Sequence, residues 1–467
     1  MKKGFILFCC LLLLPFSALS AEKTTAYPPT CTEAGYILHE ENGVIRIEEG
    51  EAPLGHDYID QICSRCGEKE PDLFLESLPR VDLRGDISGI SREHRVTLQC
   101  TLHFPEGEIS CYAFTTYQGH STMEFDKKNF TIRLFQDERI AEKQRISLRG
   151  WRAEHKYILK AHYQDASLSR NLIAAGIWAD MAKSREHLPP QLQSSSSFGA
   201  VSGFPVTLWL NGEFLGLYTW NLHKDEDLFA MGGVRREAIV IANGQSSPES
   251  LFRAPASFLP EGDWELEYCG TGNQGAWAEE SFNGLIRFIM ESDDEAFRSR
   301  LSQHLDTQAA IDYLIFLYAL GLSHSGAKDL VMLQYEGTPW IPSAYDMEEA
   351  FGLDLERSAF LPPDQFLPVK TEAGWDSQTG SLLWDRLLSL FEKEIKARYR
   401  DLRAHALSEE SLMARAEYSL NALPHALIEK DLSLYPGRPY PTENCAGQIL
   451  QYIQNRLPLL DEIFMEE

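Results

Sequence analysis

Apolar and polar positions alternate with a period of two through Arg95–Leu102 (RVTLQCTL) and Asn129–Phe135 (NFTIRLF). With their β-branched residues, these runs predict strands over most of residues 80–135. VTLQCTLHF and ISCYAFTTY flank the turn signal Pro105–Glu108, so they pair as a hairpin that sets Cys100 near Cys111, as a disulfide or as plain packing. Val206–Tyr218 reads as a second hairpin turning at Asn211-Gly212, and Leu330–Tyr345 as a third turning at Glu336-Gly337. Helical spacing predicts a helix over 166–187, with Asp165 or Ser167 as N-cap, and two helices within 275–323. Ile311–Leu322 is apolar but too short to cross a bilayer, and reads as a buried helix. Leu383, Leu387, Leu390, Phe391, Ile395, Tyr399 and Leu402 recur on one face and predict a long helix over Ser381–Ala406, followed by a last one near 445–465. The pattern is that of an α+β protein.

The N-terminal part reads differently. Residues 1–20 combine Lys2 and Lys3, an apolar run from Gly4 to Pro15 and the small residues Ala18 and Ser20, the anatomy of a removable secretory signal. Export to the cell surface or beyond is the expectation. Residues 21–70 hold Cys31, His56, Cys63 and Cys66, and the Cys63–Cys66 pair is followed by Gly67. These four could complete a structural zinc site; a disulfide and a small redox pair remain open. A linker over 71–80 leads to the main domain, 81–465.

Lys and Arg number 43 against 69 Asp and Glu, for a formal charge of −26. That excludes a general nucleic-acid binder, and argues against resting on anionic lipid. A negative field suits cationic partners and metal ions.

Four polar clusters carry the candidate chemistry. Gly119-His120-Ser121-Thr122 precedes Lys127-Lys128-Asn129, and Lys156–Ala161 leads to Asp165, Ser167, Arg170 and Asn171. His223-Lys224-Asp225-Glu226 follows the second hairpin. Lys328-Asp329 stands one hairpin before Tyr345-Asp346-Met347-Glu348-Glu349. A hairpin brings Asp329 and Asp346 to one end, where two carboxylates make an oxygen-rich site for Mg²⁺ or Mn²⁺. Lys128 and Lys160 could neutralise phosphates bridged by that ion. Arg170 also reads as an anchor for Asp165.

Residues 80–465 resemble the CotH kinase family. The runs that carry the resemblance are YQGHSTMEFDKKNFTIRL, YILKAHYQDASLSRNLIA, GFPVTLWLNGEFLGLYTWNLHKDEDLF and WIPSAYDMEEAFG. The resemblance implies an atypical protein-kinase-like fold of two lobes, a mixed-sheet N-lobe and a mainly helical C-lobe, with ATP and Mg²⁺ or Mn²⁺ between them. It implies phosphate transfer to Ser or Thr of a secreted or surface protein. Lys128, Lys160, Asp165, Arg170, Asn171 and Lys224 are then the cofactor-binding candidates. His324, Asp329 and Asp346 are the catalytic candidates, and Asp329, Asp346 and Glu348 the metal ligands. Asp346 takes the metal-binding Asp of the family's pattern, but His324 falls where the family has its catalytic Asp, and Asp329 where it has Asn. Histidine can act as a general base but cannot replace an acid as a magnesium ligand. The alternative is a pseudokinase that keeps the fold and serves as a surface binding or structural protein.

Overall fold

In a computed structural model of the chain, the described residues are 78–466 apart from 120, 233–235, 244–245, 271–274, 338, 357, 373 and 439–443, together with five strands between 23 and 63. The backbone divides into two units, Met1–Leu73 and Phe74–Glu467. The first holds an antiparallel sheet of β1 (Lys23–Tyr27), β2 (Tyr36–Glu41) and β3 (Val44–Glu49), and the short pair β4 (Tyr58–Ile59) and β5 (Ile62–Cys63). The signal at 1–20, and the zinc candidates Cys31, His56 and Cys66 with the side chain of Cys63, lie outside the described residues.

In the second unit the predicted alternation produces a closed barrel. Its strands are β6 (Arg80–Arg84), β7 (Val96–Phe104), β8 (Gly107–Gln118), β9 (Asn129–Phe135), β10 (Lys156–Lys160), β11 (Gly203–Leu210) and β12 (Glu213–Leu222). They run in the order β10-β12-β11-β6-β7-β8-β9, and closure joins β9 back to β10. All pairings are antiparallel except β11 with β6. The expected mixed sheet is therefore present but closed on itself as a barrel, which corrects the kinase-like N-lobe implied by the resemblance. The reason is the period-two pattern carried on every strand. Leu98, Ala113, Ile132, Tyr157, Val206 and Trp220 all turn into one apolar cluster, and a sheet with one wholly apolar face buries it by rolling up. Asn211 (φ 54°) and Gly212 (φ 89°) form the expected tight turn between β11 and β12.

A second, antiparallel sheet has the order β14-β13-β15-β16, from β13 (Ala238–Ala242), β14 (Trp264–Cys269), β15 (Leu330–Gln334) and β16 (Ile341–Ala344). It serves two cores. Ile239, Ile241, Val331, Leu333 and Ile341 join the barrel cluster, whereas Val240, Ala242, Leu330, Met332 and Ala344 join the helical one.

The helical part contains α1 (Arg170–Lys183), the short α2 (Pro190–Ser194), α3 (Ala276–Glu291), α4 (Asp294–Arg300), α5 (Thr307–Leu320), α6 (Leu382–Leu390), α7 (Glu392–Ala404), α8 (Glu409–Asn421), α9 (His425–Leu434) and α10 (Cys445–Phe464). Three helices, not two, occupy 275–323, because Asp293 and Asp306 each cap a new start by accepting from the backbone N–H three residues on. The single helix expected over Ser381–Ala406 is broken at Phe391 (φ −118°, ψ 26°). The bend spans one residue, so the apolar face continues across it. α5 is the apolar helix expected near Ile311, buried along most of its length. No helix among the described residues is long and apolar enough to cross a membrane.

Candidate functional site

Because successive side chains on a strand point to opposite faces, β10 divides its residues cleanly. Tyr157 and Leu159 fill the barrel; Ile158 and Lys160 face a crevice outside it. Asn221 of β12 and Gln118 at the end of β8 share that outer face. Tyr345, Asp346 and Met347, which follow β16, form the opposite wall with Asn171 of α1.

Lys160 Nζ is ion-paired with Asp346 Oδ1 and lies 3.4 Å from Glu348 Oε1. Burial disfavours its charge, yet Asp346 and then Glu348 hold its pKa above the ordinary lysine value. His162 Nδ1 lies 3.4 Å from Glu348 Oε1. Burial alone would raise Glu348, but Lys160 and His162 pull it down to about 2. Asp329 opens β15 beside these groups. Burial, and then the charge of Asp346, push it up to about 8, against the opposing pull of Lys328 and Lys160. Asp329 (φ 57°) and Asp346 (φ 52°) both adopt the left-handed conformation. That conformation costs most residues a steric penalty, and Asp tolerates it because its short side chain bonds locally.

Two sequence motifs support this arrangement from behind. The N-cap of α1 is Ser169, not Asp165 or Ser167, but the buried Asp165 carboxylate still accepts from the backbone N–H of Ser169 and Arg170, each at 3.1 Å. Arg170, also buried, reaches Asp165 Oδ1 (3.2 Å), the carbonyl of Ala350 (2.6 Å) and Gln448 Oε1 (2.7 Å). It thereby ties α1 and α10 to the strand-following acidic segment. Asn171 Oδ1 accepts from the Met347 N–H at 2.7 Å. The Asp-x-x-x-x-Arg-Asn run thus fixes the backbone that carries Asp346 and Glu348.

The lysine pair separates. Lys127, not Lys128, is fully buried, with Nζ 2.8 Å from Asp431 Oδ1, and burial lowers its pKa to about 8. Lys128 Nζ donates to the carbonyls of Met123 and Phe125, closing the turn before β9. Asn129 Oδ1 accepts from the Ala161 N–H (2.7 Å), which links the start of β9 to the end of β10. A Cβ on Gly119 (φ 110°) would collide with Thr122 Oγ1.

The structure therefore brings Lys160, Asp329, Asp346 and Glu348 together, with Asn171 lining the same crevice. Lys224 stands at its edge, 5.2 Å from the Tyr345 ring, where it pairs with Glu267 Oε2 at 3.1 Å. Asp165 and Arg170 hold the crevice without lining it, and Lys128 is placed elsewhere. His324 joins through Glu349, whose Oε2 lies 2.8 Å from His324 Nδ1. Sequence reading missed Asn221, Gln118 and His162. The polar Asn221 and Thr219 inside the apolar β12 run were the available signal. Trp220 and Trp340 are buried in the cores. His223 is buried beside Asp225 (3.3 Å), and the acid offsets the cost of enclosing it. Cys100 and Cys111 face each other across β7 and β8 as free thiols, and Cys269 and Cys445 are likewise unbridged.

No group of three or more His, Cys, Asp or Glu among the described residues is arranged to enclose a metal. Magnesium does not require one, since it binds through one or two carboxylates, phosphate oxygens and water. Asp329 and Asp346 fit that role: their mutual repulsion is what a cation would relieve. Asn171 Nδ2 and Asn221 Oδ1 are buried without a hydrogen-bond partner, so the crevice retains unused donor and acceptor capacity.

A buried lysine bridging two acids, with a third buried acid beside them, is the charged centre of this crevice. The chain belongs to the CotH kinase protein family, whose model matches residues 115–460. No curated protein matches it.

Proposed function

We propose that this protein is an exported phosphotransferase that moves phosphate from ATP to a Ser or Thr hydroxyl of a surface protein. The observation that carries the reading is the convergence of Lys160, Asp346, Glu348 and Asp329, from three separate stretches of chain, on one crevice. In phosphoryl transfer the protein contributes positioning and charge more than covalent chemistry. Lys160 would exchange Asp346 for phosphate oxygens, while Glu348 keeps it charged. Asp346 and Asp329 would hold Mg²⁺ or Mn²⁺, which when bound neutralises charge on the phosphates. The kinase-like description applies at this level: a β-barrel half supplies the lysine and the following half supplies the acids. Export is supported by the signal-like first twenty residues.

The test is ATP-dependent labelling of Ser/Thr protein acceptors with Mg²⁺ or Mn²⁺. Lys160→Met and Asp346→Asn should each lower the rate by about 10²–10³-fold, the cost of removing one preorganised charge contact. A folded wild type that transfers no label overturns the reading. His324, where the family's pattern has Asp, favours the second reading, a pseudokinase. Absence of both labelling and an ATP-induced thermal shift would select it.

A further inference from the structure

We propose that His324 and Glu349 form a general-base dyad: Glu349 fixes the imidazole through Nδ1, and Nε2 accepts the proton of the Ser or Thr hydroxyl that receives phosphate. The proposal rests on the phosphotransfer reading above and supplies its base.

The geometry is local and well held. Gly321 (φ 71°) ends α5 in the left-handed conformation and turns the chain toward β15. The N–H groups of Ala327 (3.1 Å) and Lys328 (3.0 Å) both return to the His324 carbonyl, so the loop is a tight turn with the imidazole at its start. Asp329, one of the metal-ligand candidates, ends the same turn. Glu349 comes from the opposite wall, three residues after Asp346, on backbone held by Asn171 at Met347 and by Arg170 at Ala350. Glu349 Oε2 stands 2.8 Å from His324 Nδ1. A carboxylate at that distance takes the Nδ1–H, which leaves the lone pair of the neutral ring on Nε2. No described residue bonds Nε2, and 37% of the side chain is exposed, so an acceptor hydroxyl can reach it. The charged groups around the ring are Glu349 and Glu356, which raise its pKa, the hydrogen bond to Glu349 most of all, and Lys328, which lowers it.

The transfer balances. The acceptor O–H gives its proton to Nε2, and its oxygen bonds to the γ-phosphorus of ATP. The bond from that phosphorus to the β–γ bridging oxygen breaks, and ADP leaves with the electron pair. The imidazolium then returns its proton to solvent. His324 is a catalytic residue by this account and Glu349 a positioning residue.

The experiment uses the full chain with ATP, Mg²⁺ and a Ser/Thr protein acceptor. His324→Ala should lower kcat by about 10²–10⁴-fold, the range for a lost general base, with KM for ATP little changed. His324→Asp, a second variant that keeps a base at the position, should retain more activity than His324→Ala. Glu349→Gln should move the acid limb of the kcat/KM profile to lower pH, because the free imidazole loses the neighbour that raised its pKa. The same shift should appear in the His324 imidazole titration followed by NMR. If the wild type transfers label and folded His324→Ala transfers it equally fast, the dyad falls while the phosphotransfer reading stands. If His324→Ala is slow but Glu349→Gln leaves both the limb and the titration in place, Glu349 has no positioning role and the dyad falls as stated. A folded wild type that binds ATP and transfers nothing overturns both readings.

Discussion

Asp329 shows how a single side chain reports what a site is built to hold. Its ordinary pKa is 3.8, and burial beside Asp346 pushes it up to about 8. Between those values the folded protein retains a proton that the unfolded chain releases, so the native state binds more protons than the unfolded one. Stability must then fall as pH rises from about 4 to about 8, because folding opposes ionisation of this group. With a chelator present, Asp329→Asn should melt above the wild type at pH near 8, and the gap should close toward pH 4. Mg²⁺ should raise the wild-type Tm at the upper pH and leave the variant unmoved. Coincident melting curves at pH near 8 would remove this account. The acids themselves were legible in sequence, because a hairpin brings its two ends together. Which of Lys127 and Lys128 turns inward was not. Adjacent strand-entry residues differ only in facing, and the deciding partner, Asp431, lies some three hundred residues away.

Among the elements, α1 depends on its preceding turn. Asp165 accepts from the first N–H of the helix and pairs with Arg170, and both are buried. Removing one partner of such a pair leaves an uncompensated charge, at a cost of about 3–5 kcal/mol. Asp165→Ala should lose about that much in urea denaturation. Because Arg170 also grips the Ala350 carbonyl, labelling activity should fall even at temperatures where the variant stays folded. A loss below about 1 kcal/mol, an ordinary single hydrogen bond, would show that Arg170 is satisfied without its acid. Hairpins at Asn211-Gly212 and at Glu336-Gly337 were readable, since turn chemistry is local. The break at Phe391 was not. Hydrophobic spacing records which face is buried, and a one-residue bend leaves that face unchanged.

At the scale of the molecule, closure of the barrel was the least legible feature. It requires β6 to lie parallel to β11, a pairing across more than a hundred residues with no local signal. The sheet β14-β13-β15-β16 then couples the two cores, because alternate residues of each strand belong to different ones. Barrel and helices should therefore unfold together. A fragment spanning 74–467 should give one calorimetric transition, whereas two resolved peaks would mean that the shared sheet does not bind the cores into one cooperative unit. The strict alternation on β9, β10 and β12 has a practical reach as well. Ile158 and Asn221 line the crevice from the outward face, yet both are buried, and Thr219 on the same face is buried with its Oγ1 2.6 Å from His162 Nε2. Ligand preference on that outer wall is thus tied to the packing of the residues that form it, so selection, natural or in the laboratory, retunes one only by also moving thermostability.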